Sequence, residues 1–410
     1  MNSTFFQNNR KNLLAQLKPD SFLVLTANGL MQGAADQPAK FEQEANFWYL
    51  TGIDVADWQM IVDIDSGEEW LIEPKLLWFQ DDFHGSLTPD NARHTSGIKN
   101  ISDKKTGLEL IRKLIKNKKR VYTLKPHPRR WYAMYSNRAQ YDLAKKLKGI
   151  DIEDVGLTMA KLRAIKQPAE IEAIQKAVDV TVDSMKNLFS SLKGMNFEYE
   201  AEALLNYQIR KSGLTNAYDP MVASGKNACV LHYDKSKDKF IKDSWLLVDA
   251  GAKYKGYPAD ITRTIPLGKP TRRQIDIYEA TLRVHDKIIE LCKPGQDTKK
   301  YIESFQKIMK TELVNLGLLK SDSKPKEVYK WMPHAVSHGL GIDVHDSLGK
   351  PDVFAENMIL TVEPGIYIKD ESFGVRIEDD ILITENGPKI LSGDLPTDLD
   401  KLRGLVGGSS

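Results

Sequence analysis

Phe5, Phe6, Leu13, Leu14 and Leu17 recur at helical spacing among polar neighbours, which predicts an amphipathic helix over residues 4–17. Short apolar runs at 22–26, 47–51, 60–64 and 70–72 are bounded by turn residues and read as strands. Asp65, Ser66 and Gly67 form a hairpin-type turn between the last two. Helical patterns near 103–116 and 136–147 flank another apolar run at 121–124. These alternations predict a self-contained mixed α/β domain over residues 1–153. Phe47, Trp48 and Tyr49 are expected in its core as a strand, not as a substrate platform.

Around residues 149–157 the pattern changes to long helices and long strands. Pro168 suits a helix start, with Glu170 and Glu172 in the first turn. That helix is expected to reach residue 192. The next covers 198–211 and stops at Gly213. Two more fit 271–291 and 297–317, separated by Pro294 and Gly295, and strands fit 245–250, 260–266, 357–363 and 374–384. Both halves of this second domain, residues 154–400, read as helices followed by an acid-bearing strand pair, so a disguised repeat is expected. Residues 401–410 are expected to be a tail.

Hydrophobic residues make up 41% of the 410-residue chain and charged residues 28%, with a net charge of +2, which describes a soluble globular protein. Basic and acidic residues nearly cancel, so neither nucleic acid nor an anionic membrane is expected as a partner. The basic run at 116–120 reads as a solvated helix end. Cys229 and Cys292 form neither a disulfide framework nor a Cys-x-x-Cys spacing, which suits a reducing, cytoplasmic setting. No signal peptide and no membrane-spanning run are expected.

Chemistry concentrates between Trp331 and Glu378. Three of the eight histidines, His334, His338 and His345, fall within twelve positions. Glu363 and Glu378 follow in apolar, strand-like settings, where an unpaired carboxylate costs several kcal/mol or gives up its charge. Upstream, Asp249 ends one apolar run and Asp260 opens the next across a turn at 253–256, so the two are expected as cross-strand neighbours. Either aspartate alone reads more readily as structural, and a lone strand glutamate is seldom a ligand. His334 and His338 would share a face if their stretch were helical, and a structural salt bridge is the plain alternative. Together, two aspartates, two glutamates and one histidine offer hard oxygen donors plus an imidazole, a set suited to Mn²⁺, Co²⁺, Zn²⁺ or Fe²⁺. Four carboxylates neutralise two divalent ions, and such a pair can activate one water and polarise a carbonyl. Hydrolysis of an amide or ester is the expected chemistry. No Gly-x-Ser-x-Gly elbow appears, and neither cysteine sits in a nucleophile motif.

Residues 331–346, Trp-Met-Pro-His-Ala-Val-Ser-His-Gly-Leu-Gly-Ile-Asp-Val-His-Asp, resemble the histidine signature of the aminopeptidase P and prolidase family of pita-bread metallopeptidases. The resemblance continues at 41–52, 162–172 and 224–233, at the Asp249/Asp260 hairpin, and at 361–365 and 374–379, in family order. It implies a pita-bread catalytic domain with pseudo-twofold halves behind an N-terminal α/β domain. The implied activity is release of the residue before a penultimate proline, through a water bridging two metal ions. Mn²⁺ is the expected metal, with Co²⁺ or Zn²⁺ as substitutes. The resemblance implies Asp249, Asp260, His338, Glu363 and Glu378 as ligands, Asp260 bridging both ions, and Glu363 also as the base. His334 and His345 would stabilise the tetrahedral intermediate, His232 would line the pocket, and Arg376 would support the site electrostatically. His84, His94, His127 and His285 are left as packing or surface residues.

A prolidase restricted to dipeptides is the alternative within this chemistry. A metal-free creatinase-like hydrolase and a non-catalytic binding protein are remoter, since both usually lack ligands at these positions. The motif at 47–52 is closer to aminopeptidase P. The expected partner is a peptide with penultimate proline, and the expected assembly is a homodimer or homotetramer.

Overall fold

The computed structural model describes residues 1–76, 80–125, 138–241 and 243–406. His127 and the last four residues lie outside them. The chain divides into two compact units, Met1–Leu162 and Arg163–Ser410.

The first unit is built on a six-stranded mixed sheet. Its order is Asn100–Ser102, Glu69–Ile72, Gln59–Asp63, Ser21–Thr26, Arg120–Thr123 and Asp151–Asp154. Phe22, Val24, Ile61 and Val121 pack with Ile111 and Leu114 of the helix Lys104–Asn117 to form its core. Residues 47–51 depart from expectation: they belong to the helix Ala45–Thr51. The Glu44 carboxylate caps it, accepting from Phe47 N at 2.7 Å, and Gly52 ends it at φ +70°. Both flanking signals are local, but an apolar run of this length carries no periodicity that separates strand from helix. Phe47 and Tyr49 are buried, as a core role requires.

In the second unit the four long helices are Pro168–Ser191, Glu198–Lys211, Arg272–Ile289 and Thr298–Asn315. Pro168 occupies the first turn, and Gln167 N donates to Glu170 Oε2 at 2.9 Å. Thr271 and Asp297 cap the third and fourth helices. Two three-stranded antiparallel sheets complete the halves. One runs Met221–Ser224, Trp245–Ala250, Ile261–Pro266; the other runs Ile359–Val362, Asp379–Thr384, Gly387–Ile390. Each half thus supplies a helix pair and a sheet, the architecture of a pita-bread fold.

The strand expected over 374–384 is two strands. Phe373–Arg376 pairs with Gly365–Ile368, whereas Asp379–Thr384 pairs with Ile359–Val362. The chain changes sheets at Ile377 and Glu378, and it does so again at Glu363 and Pro364. Pro364 has no N–H for a ladder, so the break falls there naturally. The stretch 331–346 is not helical. At the far end, residues expected as tail include the helix Leu399–Leu405.

Candidate metal centre

Each acidic side chain comes from a place where regular structure is interrupted or ends. Asp249, near the end of Trp245–Ala250, faces Thr262 across the ladder, and Asp260 lies just before Ile261–Pro266. The two aspartates are therefore offset diagonally, not directly opposite, because the register places Thr262 in that position. Glu363 and Glu378 occupy the two points where the chain leaves one sheet for another, so their carboxylates avoid the apolar packing of a strand interior. The histidine loop runs beside Ile359–Val362: Thr361 N donates to His338 O at 2.9 Å and Glu363 N to Val336 O at 2.9 Å. That pairing carries His334 and His338 to opposite oxygens of one carboxylate. His334 Nδ1 is 3.3 Å from Glu363 Oε2, and His338 Nε2 is 3.4 Å from Glu363 Oε1.

All nine residues singled out in the sequence line one cavity of about 260 Å³: Asp249, Asp260, His338, Glu363, Glu378, His232, His334, His345 and Arg376. Three overlapping groups hold ligand atoms within 4.8 Å of one another: Asp260–His338–His345, His338–Glu363–Glu378 and Asp249–Asp260–Glu378. His345 thus comes as near as a ligand would. Of the remaining histidines, His285 is buried against Asp379, with Nε2 3.0 Å from Oδ2, and His94 is exposed.

Three residues that no sequence signal marked complete the site. The Tyr218 hydroxyl lies 2.6 Å from both Asp249 Oδ1 and Asp260 Oδ1. Its single proton serves one carboxylate at a time. Thr262 Oγ1 donates to Glu378 Oε2 at 2.6 Å and accepts from Arg376 Nε at 3.0 Å. Arg376 also donates to Asp249 Oδ2 and to the Tyr367 hydroxyl at 3.1 Å. The Tyr367 proton is then free for His334 Nε2 at 2.9 Å, which suits the tautomer with its proton on Nδ1, facing Ala335 O and Glu363.

Electrostatics follow from this crowding. Burial, then the charges of Asp260, Glu363 and Asp249, hold the Glu378 carboxyl well above its ordinary range. Burial likewise raises Asp249 despite Arg376. Burial opposes ionisation of Glu363 too, but the bond from His334 and the His338 and Arg376 charges bring it below its ordinary value. Burial disfavours a charged His338, yet Asp260 and Glu363 outweigh it and push the imidazole up to about 9. The donor set fits divalent cations. Carboxyls whose ionisation is opposed by burial and by one another become stable anions with a cation between them, and hard oxygens with imidazole suit first-row divalent ions.

A model of metallopeptidase family M24 matches residues 172–385, and one of the aminopeptidase P N-terminal domain matches residues 6–122. The chain belongs to metallopeptidase family M24. A Xaa-Pro aminopeptidase of Haemophilus influenzae is 29% identical, over 98% of this chain and 96% of the relative. Xaa-Pro aminopeptidase 3 of Rattus norvegicus is 30% identical, over 95% of this chain and 82% of the relative. Escherichia coli aminopeptidase P, solved with the inhibitor Pro-Leu, superposes with a TM-score of 0.87 at 27% identity, covering 99% of this chain and 98% of that one. As an M24 metallopeptidase with an aminopeptidase P N-terminal domain, the chain is a hydrolase, a metallo-exopeptidase.

Proposed function

We propose that this chain is a Xaa-Pro aminopeptidase that releases the N-terminal residue ahead of a penultimate proline, with two divalent ions, Mn²⁺ first and Co²⁺ or Zn²⁺ as substitutes. The observation that carries this reading is the convergence of four carboxylates, four histidines and Arg376 on one cavity. In this reading Asp249 holds one ion, Asp260 serves both, and His338, Glu363 and Glu378 complete the ligands. Once bound, the ions supply a water of lowered pKa and an electrophile for the scissile carbonyl oxygen. Glu363 takes the proton from the attacking water. His334 and His345 stabilise the tetrahedral intermediate: His345 donates a hydrogen bond to the oxygen that gains charge, and His334, held by Tyr367, Ala335 and Glu363, walls the reacting bond. Arg376 holds Asp249 and the Thr262–Glu378 pair in place and keeps their charges compensated.

Proline at the second position makes the scissile bond a tertiary amide without an N–H. Recognition must therefore come from the ring. An adjoining cavity of about 410 Å³, with Met221, Leu231, Tyr233 and Val344 in its walls, shares Asp249, Asp260, His232 and His345 with the metal centre and suits an apolar ring beside the reacting bond. The deciding measurement is kcat/KM on Ala-Pro-Ala against Ala-Pro, with Ala-Ala-Ala as control. A ratio well above one is expected. A ratio far below one means a dipeptidase, and equal cleavage of the control removes the proline specificity.

The chain acts in the cytoplasm in this reading, supported by two free thiols, of which Cys292 is buried and pushed up to about 12 by that burial. No helix among the described residues is long and apolar enough to cross a membrane. A homodimer or homotetramer completes this reading. Sedimentation equilibrium checks it.

A further inference from the structure

His232 stands in the wall shared by the two cavities, yet among the described residues no hydrogen bond holds its ring. Its position depends on the loop that carries it. That loop leaves the strand Met221–Ser224, passes through the short turn Gly225–Cys229, and returns at residues 238–240 to pair with residues 196–198. One side chain outside the loop reaches both of its ends and its middle. Glu198 is fully buried, and its two oxygens accept five hydrogen bonds, all from this loop. Oε1 takes Ser224 N at 2.7 Å, Ser224 Oγ at 2.9 Å and Asn227 Nδ2 at 3.0 Å. Oε2 takes the Tyr233 hydroxyl at 2.8 Å and Asp238 N at 3.0 Å.

We propose that Glu198 is the positioning residue for His232. It pins the loop at Ser224 and Asp238 and fixes Tyr233, the residue next to His232, so that the imidazole faces the reacting bond. The proposal rests on the role given to His232 above. A carboxylate is the group the site requires. Five donors converge on two oxygens, and a neutral amide would turn two of its own N–H groups toward them. Burial, then the bond to Glu198, pushes the Tyr233 phenol up to about 12, so it stays a donor at every working pH.

The test is a double-mutant cycle in the manganese-loaded full chain, with Ala-Pro-Ala as substrate, metal content and thermal melting as parallel readouts. Glu198→Gln is expected to keep its metal and to lower kcat/KM about tenfold, the scale of a displaced catalytic group. In a His232→Ala background the same change should cost less than twofold, since the group it positions is gone. Tyr233→Phe removes one donor without burying a new polar group and decides the matter if Glu198→Gln does not fold. It should cost about fivefold, the weight of one hydrogen bond, again only when His232 is present. Equal losses in both backgrounds, or full turnover in both variants, overturn the proposal. Full turnover in His232→Ala alone overturns the role of His232 itself, which separates that failure from the failure of Glu198.

Discussion

An imidazole must be neutral to bind a cation, and His338 is pushed up to about 9 in the metal-free protein. Near neutral pH it therefore carries a proton that the metal displaces, and burial, which raises Asp249 and Glu378, makes their ionisation favour metal binding in the same direction of pH. Metal affinity is accordingly expected to rise with pH up to about 9, and binding at pH 7 to release at least one proton. Calorimetry in two buffers of different ionisation enthalpy reads that number, and a value of zero excludes the arrangement. The three loop histidines should also separate. His338→Ala is expected to lose metal together with activity. His334→Ala and His345→Ala should keep most of the metal and lose turnover. Because His345 lies within ligand reach of Asp260 and His338, its metal content is the sharpest reading of the three, and a loss equal to that of His338→Ala would make it a ligand.

At the scale of elements, one buried ion pair, with a second on an exposed carboxylate beside it, braces the segment that carries His345. Asp346, the next residue, is buried and meets Arg163 at 2.9 Å, and Arg163 also reaches Asp343 at 2.7 Å. Removing one partner of such a pair leaves an uncompensated buried charge, at a cost of about 3–5 kcal/mol. Arg163→Ala is expected to lower the melting temperature on that scale and to reduce kcat through the loosened loop. A melting curve unchanged within error would count against it. In the first unit, Gly52 ends the helix Ala45–Thr51 at φ +70°, and a Cβ there would collide with the Phe6 ring. Gly52→Ala should destabilise the protein by more than about 1 kcal/mol, since Ala is strained in that conformation. Chemical denaturation checks the figure. The sequence points to a strand here because length and apolarity alone do not separate a short strand from a short helix, whereas the Glu44 cap and the Gly52 stop act only on the ends of the helix.

For the whole molecule, activity should vanish on chelation and return with added Mn²⁺. Elemental analysis of the active protein should approach two ions per chain, the number that four carboxylates neutralise. Full activity in metal-stripped protein would remove the mechanism.

The sequence alone carried the long helices, since caps and periodicity act within a few residues, and through their motifs it singled out Asp249, Asp260, His338, Glu363 and Glu378, which the fold brings to one cavity. It could not supply what depends on which strand meets which. The register sets Thr262, not Asp260, opposite Asp249. The change of sheets at Glu363 and Glu378 turns two apparent strand interiors into the walls of a cavity. Tyr218, Tyr367 and Glu198 sit in ordinary-looking stretches, and each gains its role from partners at least nine and as many as 42 positions away. Local signals fix local structure. Which polar groups share a buried space is decided only when distant segments pack, because only then must every buried donor and charge find its partner.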